Sequence, residues 1–181
     1  MVVLVVDDVT IFRIMLRDII NKHVNSSPGD FNDVSIEEAS DGNIAVKEYK
    51  RLKPDLVFLD VYMPRQSGLE TVKQIIEYDS NAWIIMCSGS AEKSVVRDCI
   101  RAGATDYVLK PLDPNRVALA LERFRRGDAS LVNLDEIYEE APKENKSKEK
   151  PKEKPKELPK ESPEEADAFI IRGKSEEESE E

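Results

Sequence analysis

The strongest constraint on how this chain folds is a strict alternation of two apolar patterns along its first 127 residues. Five short apolar runs, Val2–Val6, Val34–Glu38, Asp55–Leu59, Trp83–Cys87 and Tyr107–Leu109, are separated by segments whose apolar residues recur at helical spacing. Four of the runs are nearly continuous, as suits strands covered on both faces. The second mixes Val34 and Ile36 with Glu37 and Glu38, and reads as a sheet edge. The first helical pattern sets Ile11, Ile14, Met15, Ile19 and Ile20 near one face, with Thr10 as the expected cap. The others are Asp41–Leu52, closed by Pro54; Gly68–Tyr78; Ala91–Ala102, followed by Gly103; and Pro114–Phe124.

The order is therefore βαβαβαβαβα. Strict alternation with short connections specifies an α/β fold, an open parallel sheet with helices on both faces. Right-handed crossovers leave few arrangements of five such units. The expected one is the flavodoxin-like (βα)5 order 2-1-3-4-5, whose site lies outside the carboxyl ends of the strands. One connection, Asn25 to Asp33, is long for a link usually of about 2–6 residues, and slack is the expectation there.

Charge is spread unevenly. The 181 residues carry 37 Asp and Glu against 27 Lys and Arg, a net of -10, yet residues 1–127 account for only -2. Pro142 to Pro163 is a mixture of Lys, Glu and Pro with Leu158 as its one large apolar residue. Such a stretch buries too little apolar surface to offset chain ordering, and its prolines oppose a continuous helix. The expected organisation is a folded domain over 1–127, a short helix or linker over 128–141 and a disordered acidic tail over 142–181. Leu131, Leu134, Ile137 and Tyr138 would form one face of that short helix, and Phe169–Arg172 reads as a docking motif.

The negative balance argues against nucleic-acid binding, because phosphates would repel it. No apolar run approaches the ~20 residues of a membrane span. Met1–Val6 is too short for a signal peptide and lacks its basic flank. Two cysteines make no disulfide framework, and a cytoplasmic location is expected. Cys87 and Cys99 read as buried small hydrophobes, His23 as a helix-end or surface residue, and Trp83 as core or sheet rim.

Chemistry is concentrated at the strand ends. The first run ends in Asp7-Asp8, the third in Asp60, the fourth in Ser88 and the fifth in Lys110-Pro111. Clustered carboxylates repel unless something positive joins them. Oxygen ligands of this kind suit Mg²⁺, held by one or two carboxylates, water and phosphate. A carboxylate can also act as nucleophile and form an aspartyl-phosphate.

Asp7-Asp8, the segment Leu59-Asp60-Val61-Tyr62-Met63-Pro64 with Gly68, then Ser88, Tyr107 and Lys110-Pro111, together resemble the receiver domain of two-component response regulators. The resemblance runs from Met1 to about Arg126 and is greatest to single-domain receivers of the CheY type. It implies that Asp60 accepts a phosphoryl group from a histidine kinase. It further implies that Asp8 binds Mg²⁺ directly, that Asp7 assists and that Asp60 and the Tyr62 backbone carbonyl are further ligands. Lys110 would contact the phosphoryl group, with a cis bond to Pro111. Ser88 and Tyr107 would be the switch pair: Ser88 moves toward the phosphoryl group and the Tyr107 ring turns inward. Tyr62 and Ser90, each two residues beyond a site residue, would tune attack by water.

The implied output is a change in a protein-binding surface, with chemotaxis and a flagellar motor switch as the first expectation. The alternatives are a phosphorelay through a phosphotransfer protein, a phosphate sink, and an adaptor that works without phosphorylation. The chain would act on itself alone, without turnover of an external substrate, and as a monomer, with a dimer left open. A haloacid-dehalogenase-type phosphatase would need a second Asp two positions after its nucleophile, where Tyr62 stands here. No G-x-G-x-x-G or G-x-x-x-x-G-K-[ST] is present.

Overall fold

The computed structural model describes residues 1–27, 29, 31 and 33–129. Five parallel strands, β1 (Val2–Val6), β2 (Ser35–Ala39), β3 (Leu56–Asp60), β4 (Ile84–Ser88) and β5 (Asp106–Leu109), form one sheet in the order β2-β1-β3-β4-β5. Between and after them lie α1 (Thr10–Ser26), α2 (Gly42–Leu52), α3 (Gly68–Tyr78), α4 (Lys93–Arg101) and α5 (Pro114–Arg126). The flavodoxin-like arrangement expected from the alternation is the one found. Among the described residues, no helix is long and apolar enough to cross a membrane. The segments 130–141 and 142–181, with their expected helix and docking motif, lie outside the described residues.

The period-two geometry of a strand sends successive side chains to opposite faces, and two cores result. Leu4, Val6, Val57, Leu59, Ile84, Met86 and Tyr107 pack under α2, α3 and α4. Val3, Val5, Leu56, Phe58, Ile85, Cys87 and Val108 pack under α1 and α5. This double burial explains why the central runs are almost uninterrupted in apolar character. Edge strand β2, with its pattern of exposed and half-buried residues, keeps Glu37 and Glu38.

Strand boundaries differ from expectation by about one residue, with a functional consequence. Asp60 and Ser88 lie inside β3 and β4, because Asp60 still pairs with Cys87 and Ser88 with Leu109. Both side chains therefore stand on ladder positions rather than on loops. Helix α4 begins at Lys93 rather than Ala91, because the Ser90 hydroxyl accepts the Glu92 N–H in a local turn.

The cap of α1 is also different. Val9, not Thr10, is the N-cap and supplies no side-chain cap. The Asp7 carboxylate accepts the Val9 N–H at 2.8 Å instead, and the Thr10 hydroxyl accepts from Arg13. Within the long connection after α1, Phe31 is held: it is buried in the α1/α5 core and meets the His23 ring edge-on at 5.7 Å. His23 sits in the last turn of α1, with Nε2 3.3 Å from Glu122 of α5. Cys87 and Cys99 are buried, and Trp83 packs against Phe124 at the start of β4.

Candidate functional site

Parallel strands deliver their C-terminal residues to one rim. Asp7 and Asp8 follow β1, Asp60 ends β3, Ser88 ends β4 and Lys110 follows β5. The backbone ladder continues to this rim: Asp7 N–H donates to the Ala39 carbonyl, Val61 N–H to Cys87 and Lys110 N–H to Ser88. Carboxylate oxygens of Asp7, Asp8 and Asp60 approach within 4.8 Å of one another. Asp7 and Asp60 are buried, while Asp8 faces solvent.

Lys110 holds the pair together. Its Nζ donates to Asp7 Oδ2 at 2.6 Å and lies 3.0 Å from Asp60 Oδ1. Burial drives the Asp60 carboxyl above the ordinary carboxylate range, and the hydrogen bond from Lys110 offsets only part of that. Burial by itself would lower Lys110, but bonds to Asp7 and Asp60 outweigh it and hold the ammonium above its usual value. Three carboxylates face one ammonium, so the cluster lacks positive charge. A hard divalent cation with oxygen ligands matches both the donors and the deficit. The residues fit Mg²⁺.

The hydroxyl side of the crevice is equally ordered. Ser88 is fully buried, and its Oγ accepts the Ser90 N–H at 3.1 Å. Tyr107 lies inside the protein with no exposed surface, its hydroxyl donating to the Ser90 carbonyl at 2.8 Å. The Tyr107 ring is thus already turned inward in this structure. Tyr62 stands at the rim, 58% exposed. The Lys110–Pro111 bond is cis.

Two neighbours escaped the reading of the sequence. Arg13, in the first turn of α1, donates to the Asp7 carbonyl at 2.7 Å, to Glu38 at 2.9 Å and to Thr10 at 3.1 Å. Phe12 places its ring 4.3 Å from the Lys110 ammonium. Neither belongs to a local motif, since Glu38 and Lys110 come from distant parts of the chain. An Arg13→Ala variant is expected to lose about 1.5–3 kcal/mol, as a charged hydrogen-bonding group is removed from the buried Asp7 and the half-buried Glu38. Urea unfolding checks this; an unchanged midpoint would show the guanidinium to be dispensable.

Gly68 belongs to the site for a steric reason. A Cβ there would lie 2.0 Å from the Asp60 carbonyl oxygen, while the Gly68 N–H donates to the Val61 carbonyl at 2.9 Å. The start of α3, fixed by a Ser67–Glu70 capping box, is thus pressed directly on the backbone of Asp60.

Comparison with known proteins agrees with this geometry. The chemotaxis protein CheY of Thermotoga maritima is 42% identical over 124 residues, covering 68% of this chain and 97% of that protein. CheY of Bacillus subtilis is 40% identical over 121 residues, covering 67% of this chain and 94% of that one. Among solved structures, the CheX–CheY–BeF3–Mg²⁺ complex of Borrelia burgdorferi matches with TM-score 0.58 and 31% identity, covering 66% of this chain and 85% of the other. Residues 3–122 match the response regulator receiver domain, and the chain belongs to that family.

Proposed function

We propose that this protein is a chemotaxis-type response regulator that is phosphorylated on Asp60. The carrying observation is the buried Asp60 carboxylate at a strand end, 3.0 Å from the Lys110 ammonium and clustered with Asp7 and Asp8. Asp8, Asp60 and the Tyr62 carbonyl would bind Mg²⁺, with Asp7 assisting. When bound, the ion withdraws charge from the phosphoryl oxygens.

One Asp60 carboxylate oxygen attacks phosphorus in line, forming the O–P bond as the N–P bond of a kinase phosphohistidine breaks. The electron pair of that bond returns to the imidazole. Lys110 moves from Asp7 to a phosphoryl oxygen, and the Ser88 hydroxyl donates a hydrogen bond to another. Because Ser88 also holds Ser90, whose carbonyl anchors Tyr107, the new bond strengthens one arrangement of the β4–α4 loop. The populations of two surface states at α4, β5 and α5 shift by that differential interaction. The 40–42% identity to CheY proteins supports chemotaxis as the pathway, with a histidine kinase upstream and a motor-switch or CheX-like protein as target.

Incubation with a small acyl phosphate and Mg²⁺ is expected to add one hydroxylamine-labile phosphoryl group, and a chelator to prevent it. A chain that stays unmodified with Mg²⁺ present would overturn the assignment. Tyr62, exposed at the rim, would screen the phosphoryl group from water. A Tyr62→Asn variant is expected to lose the label several-fold faster, read from its decay after donor removal; an equal lifetime would remove Tyr62 from this role.

A further inference from the structure

The Lys110 ammonium has three N–H donors. Two are directed at Asp7 Oδ2 and Asp60 Oδ1, and a third side of the ammonium is covered by the Phe12 ring at 4.3 Å from its centroid. We propose that Phe12 is a positioning residue for Lys110, the negative face of its ring holding the ammonium at the mouth of the acidic cluster. This rests on the phosphorylation reading of the same site, and extends it to a residue outside the acidic and hydroxyl set.

Lysine carries its charge on a flexible four-carbon stem, so the position of its ammonium must be imposed from outside. Carboxylates alone do this poorly here. In the proposed reaction Lys110 must leave Asp7 for a phosphoryl oxygen, and the contact that restrains it breaks at that moment. The ring of Phe12 accepts no hydrogen bond that a phosphoryl oxygen would have to displace. It attracts the cation through its quadrupole, within the ~6 Å range of that effect. The same contact can therefore persist before and after the exchange. It also shields the ammonium from water, whose competition would weaken its pull on phosphoryl oxygens.

The ring is itself held in place. Phe12 is partly buried and packs against the core that includes Val3, Val5, Leu16 and Ile20. Its neighbour Arg13 ties the same helical turn to the Asp7 carbonyl. A single turn of α1 thus fixes both sides of the Lys110–Asp7 pair. A Leu at position 12 would fill much of the same volume and supply no quadrupole, which separates positioning from packing.

Three measurements on the full chain test the proposal. In the wild type, proton NMR is expected to show the Lys110 ε-methylene protons displaced upfield by the ring current of Phe12, and Phe12→Leu to abolish the displacement. Under acyl phosphate and Mg²⁺, Phe12→Leu is expected to lower the limiting labelling rate about three- to tenfold, with the half-saturating donor concentration little changed. Pentafluorophenylalanine at position 12 nearly keeps the shape but reverses the ring quadrupole, and is expected to label as slowly as Phe12→Leu. Unshifted Lys110 protons in the wild type, or wild-type labelling by the pentafluoro protein, would overturn the proposal. If Phe12→Leu fails to fold, the wild-type shift and the pentafluoro protein still decide. A wild type that cannot be labelled at all would instead remove the phosphorylation reading, and the ring-current shift would still decide whether Phe12 holds Lys110.

Discussion

An Asp60→Asn protein exposed to acyl phosphate and Mg²⁺ should gain no hydroxylamine-labile phosphoryl group over a period in which the wild type is fully labelled. The expected loss is complete, because the substitution takes away the anionic nucleophile. An amide oxygen carries no charge with which to attack phosphorus, whereas a carboxylate oxygen does. The fold should survive the change. Asn has nearly the shape of Asp, its carbonyl can still accept from Lys110, and the Lys110–Asp7 bond at 2.6 Å remains. Mass spectrometry before and after hydroxylamine, together with a urea unfolding curve, would test both halves of this expectation. A labile group appearing at the wild-type rate would mean that another residue accepts phosphate.

Substituting Gly68 by Ala should have the largest effect on stability, about 3 kcal/mol at the upper end of overpacking changes. The new methyl group would lie 2.0 Å from the Asp60 carbonyl oxygen and 2.9 Å from the Val61 Cα. Both are backbone atoms in or beside a central strand, with no side-chain rotation to relieve the clash. Helix α3 must lift, and the displaced carbonyl belongs to Asp60 itself, so labelling should slow as well. Gly89 provides the control. A Cβ there meets nothing within 4 Å, and Gly89→Ala should stay within about 0.5 kcal/mol of wild type. Equal unfolding midpoints for the two variants would show that α3 can move away from Asp60 at little cost.

Both expectations depend on features that differ in how far the chain itself discloses them. Asp60 can be read directly, because a lone acidic residue closes a continuous apolar run and lies where the family motif has its acceptor. The importance of Gly68 is only half legible. Its place in the motif is visible, but its contact with the Asp60 carbonyl follows from the angle at which α3 meets β3. Arg13 and Phe12 give no local signal. Glu38, which binds Arg13, comes from the edge strand, and Lys110 reaches Phe12 from the far end of the domain. Phe31 was hidden for a similar reason, since a single aromatic residue in a polar loop discloses nothing of the core it enters.

The sequence by itself determined the element order, the parallel sheet and the set of residues at the strand ends. Periodicity is a local property, and right-handed crossovers then leave few topologies. Only the tertiary structure decided the distances within the site: the Lys110 ammonium between two carboxylates and an aromatic ring, Tyr107 turned inward onto Ser90, and α3 pressed against Asp60. These depend on the twist of the sheet and the packing of helices on its two faces. Both arise from contacts between residues far apart in the chain, which no pattern along a short segment records.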